Sequence, residues 1–198
     1  SRELFADPHQ CMFERLMDAT DEELFRRMKS GDRVALERLY ERREPGLFRY
    51  ALHVSGDRTI AEETTHEAFL ALLQPGVRFD PERGCLEGYL YGMVRNLVRV
   101  AMRTRPAEPS REPATDSGVL HGLIGDERAE ALHHAIRELP AAYRDAVILC
   151  DLEERSYEDA AKAMECPVGT VRSRLHRARS MLAAKLQGLR MAAAGEVR

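Results

Sequence analysis

Residues 156–182 restrict this chain more than any other stretch. Ser156 is followed by Tyr-Glu-Asp-Ala-Ala-Lys-Ala-Met-Glu, then Cys166-Pro167, then Val168-Gly-Thr-Val-Arg-Ser-Arg-Leu-His-Arg-Ala-Arg179. Ser156 with Asp159 three residues on is a capping box, which starts a helix. Ala160, Ala161 and Met164 give that helix a small apolar face. Pro167 ends it, because proline disfavours helical backbone in the residue before it. A second helix then begins near Val168–Thr170. Val171, Leu175, Ala178 and Leu182 fall on one stripe at helical spacing. Ser173, His176, Arg177 and Ser180 face away from the stripe, and Arg172, Arg174 and Arg179 flank it. Two short helices around a tight turn, the second apolar on one side and basic on the other, make a helix-turn-helix.

The charge distribution agrees. From Glu165 to Arg190 there are six Lys/Arg against one acid, although the formal net charge of the 198-residue chain is −3. In a helix-turn-helix the first helix crosses the phosphates and the second enters the major groove. Arginine can fork onto guanine, and Ser, Thr or His can take phosphates or base edges. The bland alternative is a solvated basic face on a bundle helix. The tight turn favours DNA.

The run Cys166 to Arg179 closely resembles region 4 of the extracytoplasmic-function (ECF) sigma factors, the compact bacterial subunits that direct RNA polymerase to promoters. Leu139-Pro-Ala-Ala-Tyr-Arg-Asp-Ala-Val-Ile-Leu149 is similar to the start of that region. Glu165 stands where the family usually has a turn glycine. The resemblance implies a −35 element read through Thr170, Arg172, Ser173, His176, Arg177 and Arg179.

The N-terminal half is also helical by pattern. Asp21-Glu-Glu precedes Leu24, Phe25 and Met28, with acids where the helix dipole prefers them. Gly31 ends this helix, and Asp32 caps the next, which carries Val34, Leu36, Leu39 and Tyr40. Pro45 is expected to open a separate helix with Leu47, Phe48, Tyr50, Ala51 and Val54. Arg58 to Leu73 is a long helix with Ile60, Ala61, Thr64, Ala68 and Leu72 inside and Glu62, Glu63, His66 and Glu67 outside. Pro75-Gly76 stops it. Leu86 to Arg105 reads as one amphipathic helix. Leu90, Met93, Val94, Leu97, Val100 and Ala101 are expected inside, and Arg95, Asn96, Arg99, Arg103 and Arg105 on the other faces.

Ala61-Glu-Glu-Thr-Thr-His-Glu-Ala-Phe-Leu70 and Tyr89-Leu-Tyr-Gly-Met-Val-Arg-Asn-Leu97 resemble region 2 of the same family. Tyr89 stands where a tryptophan is usual. The resemblance implies polymerase docking on the clamp coiled coil through Glu62, Glu63, His66, Glu67, Phe69 and Leu70, with the C-terminal domain on the flap. It also implies capture of the melted −10 strand by Phe79, Tyr89, Arg95, Asn96, Arg99 and Arg103. Such capture needs aromatic faces beside phosphate-binding cations. Core RNA polymerase, promoter DNA and an anti-sigma factor are the partners expected from the resemblance.

Residues 104–125 lose all periodicity and hold Pro106, Pro109 and Pro113, a linker composition too long for a loop inside one domain. The expected organisation is all-α. An N-terminal extension (1–19) leads into a helical domain (20–104), a flexible linker (105–125), a helix-turn-helix domain (126–190) and a tail (191–198).

Cys11, Cys85, Cys150 and Cys166 are widely spaced and form no CxxC pair, so neither a zinc ribbon nor a disulfide framework is implied. His9 with Cys11, and His133 with His134, lack a full local ligand set for a metal. No phosphate loop, GxSxG or HExxH occurs. The expectation is a non-enzymatic chain with no cofactor and no metal. With no signal peptide and no apolar run of spanning length, it is expected in the cytoplasm. The competing reading is a helix-turn-helix regulator that acts without polymerase and needs its own dimer interface.

Overall fold

A computed structural model describes residues 19–77, 79–104 and 126–195. The expected extension through residue 18 and linker 105–125 lie outside the described residues, as do His9 and Cys11. Helices account for the regular structure: α1 Asp21–Lys29, α2 Arg33–Ser55, α3 Arg58–Leu73, a 3₁₀ turn Pro81–Arg83, α4 Leu86–Thr104, α5 Asp126–Arg137, α6 Ala141–Val147, α7 Tyr157–Ala163 and α8 Val168–Gly195. No strand occurs among the described residues.

The helix ends are set by local chemistry. Thr20 accepts a hydrogen bond from the Glu23 amide, Asp32 from Val34 and Ala35, and Asp57 from Ile60, each satisfying orphan first-turn donors. The N-terminus of α4 is capped from a distance: the Leu86 amide donates to Glu22 Oε1 at 3.1 Å. Gly56 ends α2 with φ +71°, a left-handed cap that glycine adopts without strain.

One boundary differs from the expectation. Pro45 does not open a new helix; α2 runs through it without interruption from Arg33 to Ser55. Pro45 is exposed, so the backbone group it leaves unpaired can be hydrated. Ala35 and Leu39 before it, and Leu47, Tyr50, Ala51 and Val54 after it, are all buried. Tertiary packing on both sides of the proline outweighs its local cost.

In the N-terminal domain α2 packs on α1, α3 and α4 around Leu24, Leu39, Leu47, Leu72, Leu86 and Leu90. Asp21 is also buried and takes ion pairs from Arg42 and Arg43, tying α1 to α2. In the C-terminal domain α8 packs on α5, α6 and α7 around Ile136, Leu139, Ile148, Leu149, Val171 and Leu175. Fully burying each such side chain contributes roughly 1.5–3 kcal/mol.

The two domains touch. α4 lies against α7, and α2 against α5, so the buried residues form one continuous cluster. Gly88 and Gly92 face α7, where a Cβ on either would sit in ordinary contact with the Asp159 or Ala163 carbonyl at 3.5 Å. The turn after α6 widens into a π-helix over Ile148–Leu152, a rare local form. It brings Glu153 against Arg49 of α2.

Candidate nucleic-acid and polymerase interfaces

The helix-turn-helix forms, but its second helix is not short: α8 runs 28 residues, Val168–Gly195, into the expected tail at 191–198. Ser156 Oγ accepts from the Asp159 amide at 3.1 Å. The reciprocal leg of the capping box is diverted: the Asp159 carboxylate takes the Ser156 hydroxyl at 2.6 Å and the Cys85 thiol at 3.0 Å. Glu165 occupies the left-handed region at φ +51°. The turn therefore keeps the shape that favours glycine, with a residue for which that shape is strained. Pro167 then accepts from Thr170 and Val171 and starts α8.

Val171, Leu175, Ala178 and Leu182 are buried, while Arg172, Ser173, His176, Arg177 and Arg179 are exposed. Thr170 is half-buried, and its carbonyl accepts the Ser173 hydroxyl at 2.9 Å. Arg172 lies over the Tyr157 ring at 5.6 Å, which preorganises it on the outer edge. Arg179 is engaged differently. It forks onto Asp151 at 2.6 and 3.1 Å, tying α8 to the π turn. The solvent-facing row is thus Arg172, Ser173, His176 and Arg177.

The residues expected at the −10 strand divide between two settings on α4. Asn96 and Arg103 are exposed, and Phe79 and Tyr89 are half-buried. Phe79 packs edge-on against Phe25 and tilted against Tyr89, both at 5.8 Å, forming an aromatic corner. Arg95, expected outward, is 7% exposed. Its Nε donates to Asp145 Oδ2 at 2.8 Å, and Arg99 donates to the same oxygen at 2.8 Å. Val100, expected inside, is 53% exposed. Arg95 is buried because α4 is covered on two sides, by its own domain and by the C-terminal one, whereas Val100 lies on a part of the last turns that neither surface reaches. A single apolar stripe cannot encode that.

On α3, Glu62, Glu63, His66, Glu67 and Leu70 are exposed. Glu62 pairs with Arg58 at 2.8 Å. Phe69 is 4% exposed and packs on Tyr40 at 4.7 Å, so it supports this face from below. Sequence reasoning missed Leu73, which is 44% exposed. Its place one turn beyond Leu70, before a proline-glycine stop, was the available signal.

It also missed Asp145 and Glu153, 1% and 3% exposed. Neither carries a signal in its local sequence that marks it as buried. Glu153 accepts from Arg49 at 2.9 Å and from Tyr91 at 3.4 Å. Burial pushes its carboxyl up, against the pull of Arg49 and Arg155. Burial also raises the Cys150 thiol to about 11, which keeps it protonated and inert. No cluster of metal-ligating side chains occurs among the described residues, and no helix among them is long and apolar enough to cross a membrane.

Comparison with known proteins covers both domains. The family "Sigma-70 region 2" matches residues 39–106, and "Sigma-70, region 4" matches residues 129–182. The ECF RNA polymerase sigma factor SigE of Mycolicibacterium smegmatis is 33% identical over 77% of this chain, which spans 63% of that relative's length. The RNA polymerase sigma-H factor of Pseudomonas aeruginosa is 31% identical over 88% of this chain and 97% of its own. Among solved structures, that of CnrH in complex with the cytosolic domain of CnrY has a TM-score of 0.67 at 23% identity. It covers 85% of this chain and 97% of that one.

Proposed function

This chain belongs to the ECF RNA polymerase sigma factors, and from that membership we propose how its surfaces divide the work of promoter-specific initiation. The −35 element is read by α8 in the major groove, chiefly through Arg172, Ser173, His176 and Arg177. The observation that carries this is the two-sided character of α8, whose apolar stripe is sealed in the domain while these four side chains stand in solvent. Arg179 clamps the helix and contributes to DNA only at its edge.

The −10 strand is captured at α4 and the loop before it. Phe79 and Tyr89 supply an aromatic corner, and Asn96, Arg99, Arg103 and Arg95 supply polar and phosphate contacts. Polymerase docks on α3 through Glu62, Glu63, His66, Glu67 and Leu70, with Leu73 extending the apolar edge and Phe69 shaping it from below. The flap is the partner of the C-terminal domain, and an anti-sigma protein is the expected antagonist. Each domain holds its target modestly, and tethering both to one polymerase raises the effective concentration of each. This suits a chain whose net charge is −3. Like other sigma factors it performs no chemistry of its own. A regulator independent of polymerase is not favoured, because the family match includes region 2 as well as the helix-turn-helix.

Run-off transcription with core enzyme on a fragmented genomic library tests the assignment. Arg177→Ala should weaken promoter use while leaving core binding intact, with discrimination at the contacted base falling by about 1–3 kcal/mol. Glu67→Lys should instead weaken competition for core enzyme. Equal loss of core binding by Arg177→Ala would overturn the −35 assignment.

A further inference from the structure

The cleft between α2, α4 and α6 is walled by more positive charge than the fold neutralises. It has a volume of about 290 Å³ and takes Arg99, Met102 and Arg103 from α4, Val54 from α2, and Ala141, Arg144 and Asp145 from α6. Asp145 is the carboxylate among these lining residues, and it is already engaged. Its Oδ2 accepts from Arg95 and Arg99, and its Oδ1 from Tyr50. Arg103 reaches no acid among the described residues; its guanidinium donates to the Arg99 carbonyl at 3.1 Å. Arg144 is half-buried and donates to two backbone carbonyls, those of Val54 at 2.9 Å and Leu139 at 3.2 Å. Its Nε is buried and finds no hydrogen-bond partner. Burial pulls the pKa of this guanidinium down, Asp145 and Tyr50 pull it back, and Arg137 and Arg99 lower it again. The fold thus holds a cation at the cleft without a carboxylate of its own.

We propose that this cleft binds an organic phosphate of mononucleotide size, held jointly by the two domains. The phosphate takes Arg99 and Arg103 on one wall and Arg144 on the other. The body of the ligand lies on Met102, Val54 and Ala141. This site stands apart from the assignment of α4 to the −10 strand, which uses α4 alone, whereas the cleft needs α6 as well.

Three physical points support it. First, a cleft walled by one sign of charge concentrates counter-ions, and the arginine fork matches phosphate oxygens. Arg99 gives one terminal nitrogen to Asp145 and its side chain is still 32% exposed. Second, the cleft is not merely ionic. Met102 is 41% exposed, and a flexible thioether chain adapts to an apolar or flat partner. An inorganic anion would leave that part of the wall uncovered. Third, the volume lies at the lower end of small-molecule sites, roughly 300–1,000 Å³, so the ligand is one small molecule and not a peptide.

Isothermal titration calorimetry on the purified full chain, at low salt and without polymerase, tests this with AMP, adenosine and inorganic phosphate as probes. Wild type is compared with Arg103→Gln and Ala141→Glu. The first removes a cation from the α4 wall, where the side chain is exposed. The second sets a carboxylate on the α6 wall, at an exposed first-turn position where an acid suits the helix dipole. Neither change touches a core, and circular dichroism confirms unchanged helix content.

AMP should saturate the wild type with a Kd on the order of 0.1 mM. At ligand tenfold above Kd it should raise the unfolding midpoint by about 3–6 °C. Both variants should bind AMP about tenfold more weakly, the worth of one charge-assisted contact. Adenosine and phosphate should each bind about tenfold or more below AMP, since each lacks half of the contacts. Absence of saturable AMP binding by the wild type would overturn the site. Loss confined to Arg103→Gln would mean that α4 holds the nucleotide by itself, as it would hold a DNA strand; the two-domain site would fall and the −10 reading would stand. Phosphate binding as tightly as AMP would overturn the mononucleotide class.

Discussion

Arg95 in α4 and Arg177 in α8 have similar settings in sequence, each on a helix that is apolar on one side and rich in arginine on the other. In three dimensions they diverge. Arg177 stands in solvent, whereas Arg95 is 7% exposed and paired with Asp145. The difference arises from neither helix alone. α8 has one covering surface, its own domain, while α4 has two. An arginine row reads as a binding face, yet what it binds in the resting molecule depends on which acids the fold brings to it.

The largest test of this contrast is a pair of alanine substitutions. Arg95→Ala strands the buried Asp145 carboxylate with a half-exposed arginine as its remaining ionic partner. In the packed arrangement it should cost about 3 kcal/mol by chemical denaturation. Arg177→Ala should change stability by less than about 0.5 kcal/mol. Equal, small effects would show that the domain contact is not maintained in solution.

Acidification should break the same contact from another edge. His53 of α2 stacks on His133 of α5 with centroids 5.0 Å apart. Burial first, then the charges of His133 and Arg49, lower His53 from 6.5 to about 4. Burial and Arg137 lower His133 as well. The packed arrangement thus prefers the neutral ring. That preference is fully present above pH 6.5 and is lost as pH falls toward 4. Scattering should show the chain expanding through this window, and His53→Gln should reduce the dependence. An equally steep response in the variant would assign it to other groups.

The smallest effect concerns the turn that presents α8. Glu165 holds φ +51°, and Glu165→Gly should stabilise the chain by about 0.5–1 kcal/mol. That figure is the relief of left-handed strain less the extra freedom glycine gives the unfolded chain. Thermal unfolding measures it. Scattering should not change, because this residue takes no part in the ion pairs at Asp145.

Most of the helices were legible because their signals are local. Asp32 and Ser156 announce helix starts through hydrogen bonds that span three residues or fewer, whereas the cap at Asp57 emerged only in the structure. Gly31, Gly56 and Pro167 mark ends through backbone sterics. The buried stripe of α8 followed from periodicity alone. Pro45 was misread for the complementary reason. Its tolerance inside α2 depends on packing of residues on both sides of it against other helices. Phe69 was read as a surface residue and is core, since an aromatic on an amphipathic helix next to Leu70 can turn either way until Tyr40 is in place.

Of the candidate sites, the sequence determined the residue types and the helix that carries each of them, and for α8 also the side that faces out. Helical spacing needs no information from outside the helix. Only the tertiary structure decided that Asp145, from 46 to 50 positions away, would reach Arg99 and Arg95. It likewise decided that Gly88 and Gly92 would lie against a second domain. Pairing between distant charges leaves no periodic trace along the chain. It is fixed by the apolar packing that brings α4, α6 and α7 together, and an acid on a surface and an acid in an interface are written with the same letter.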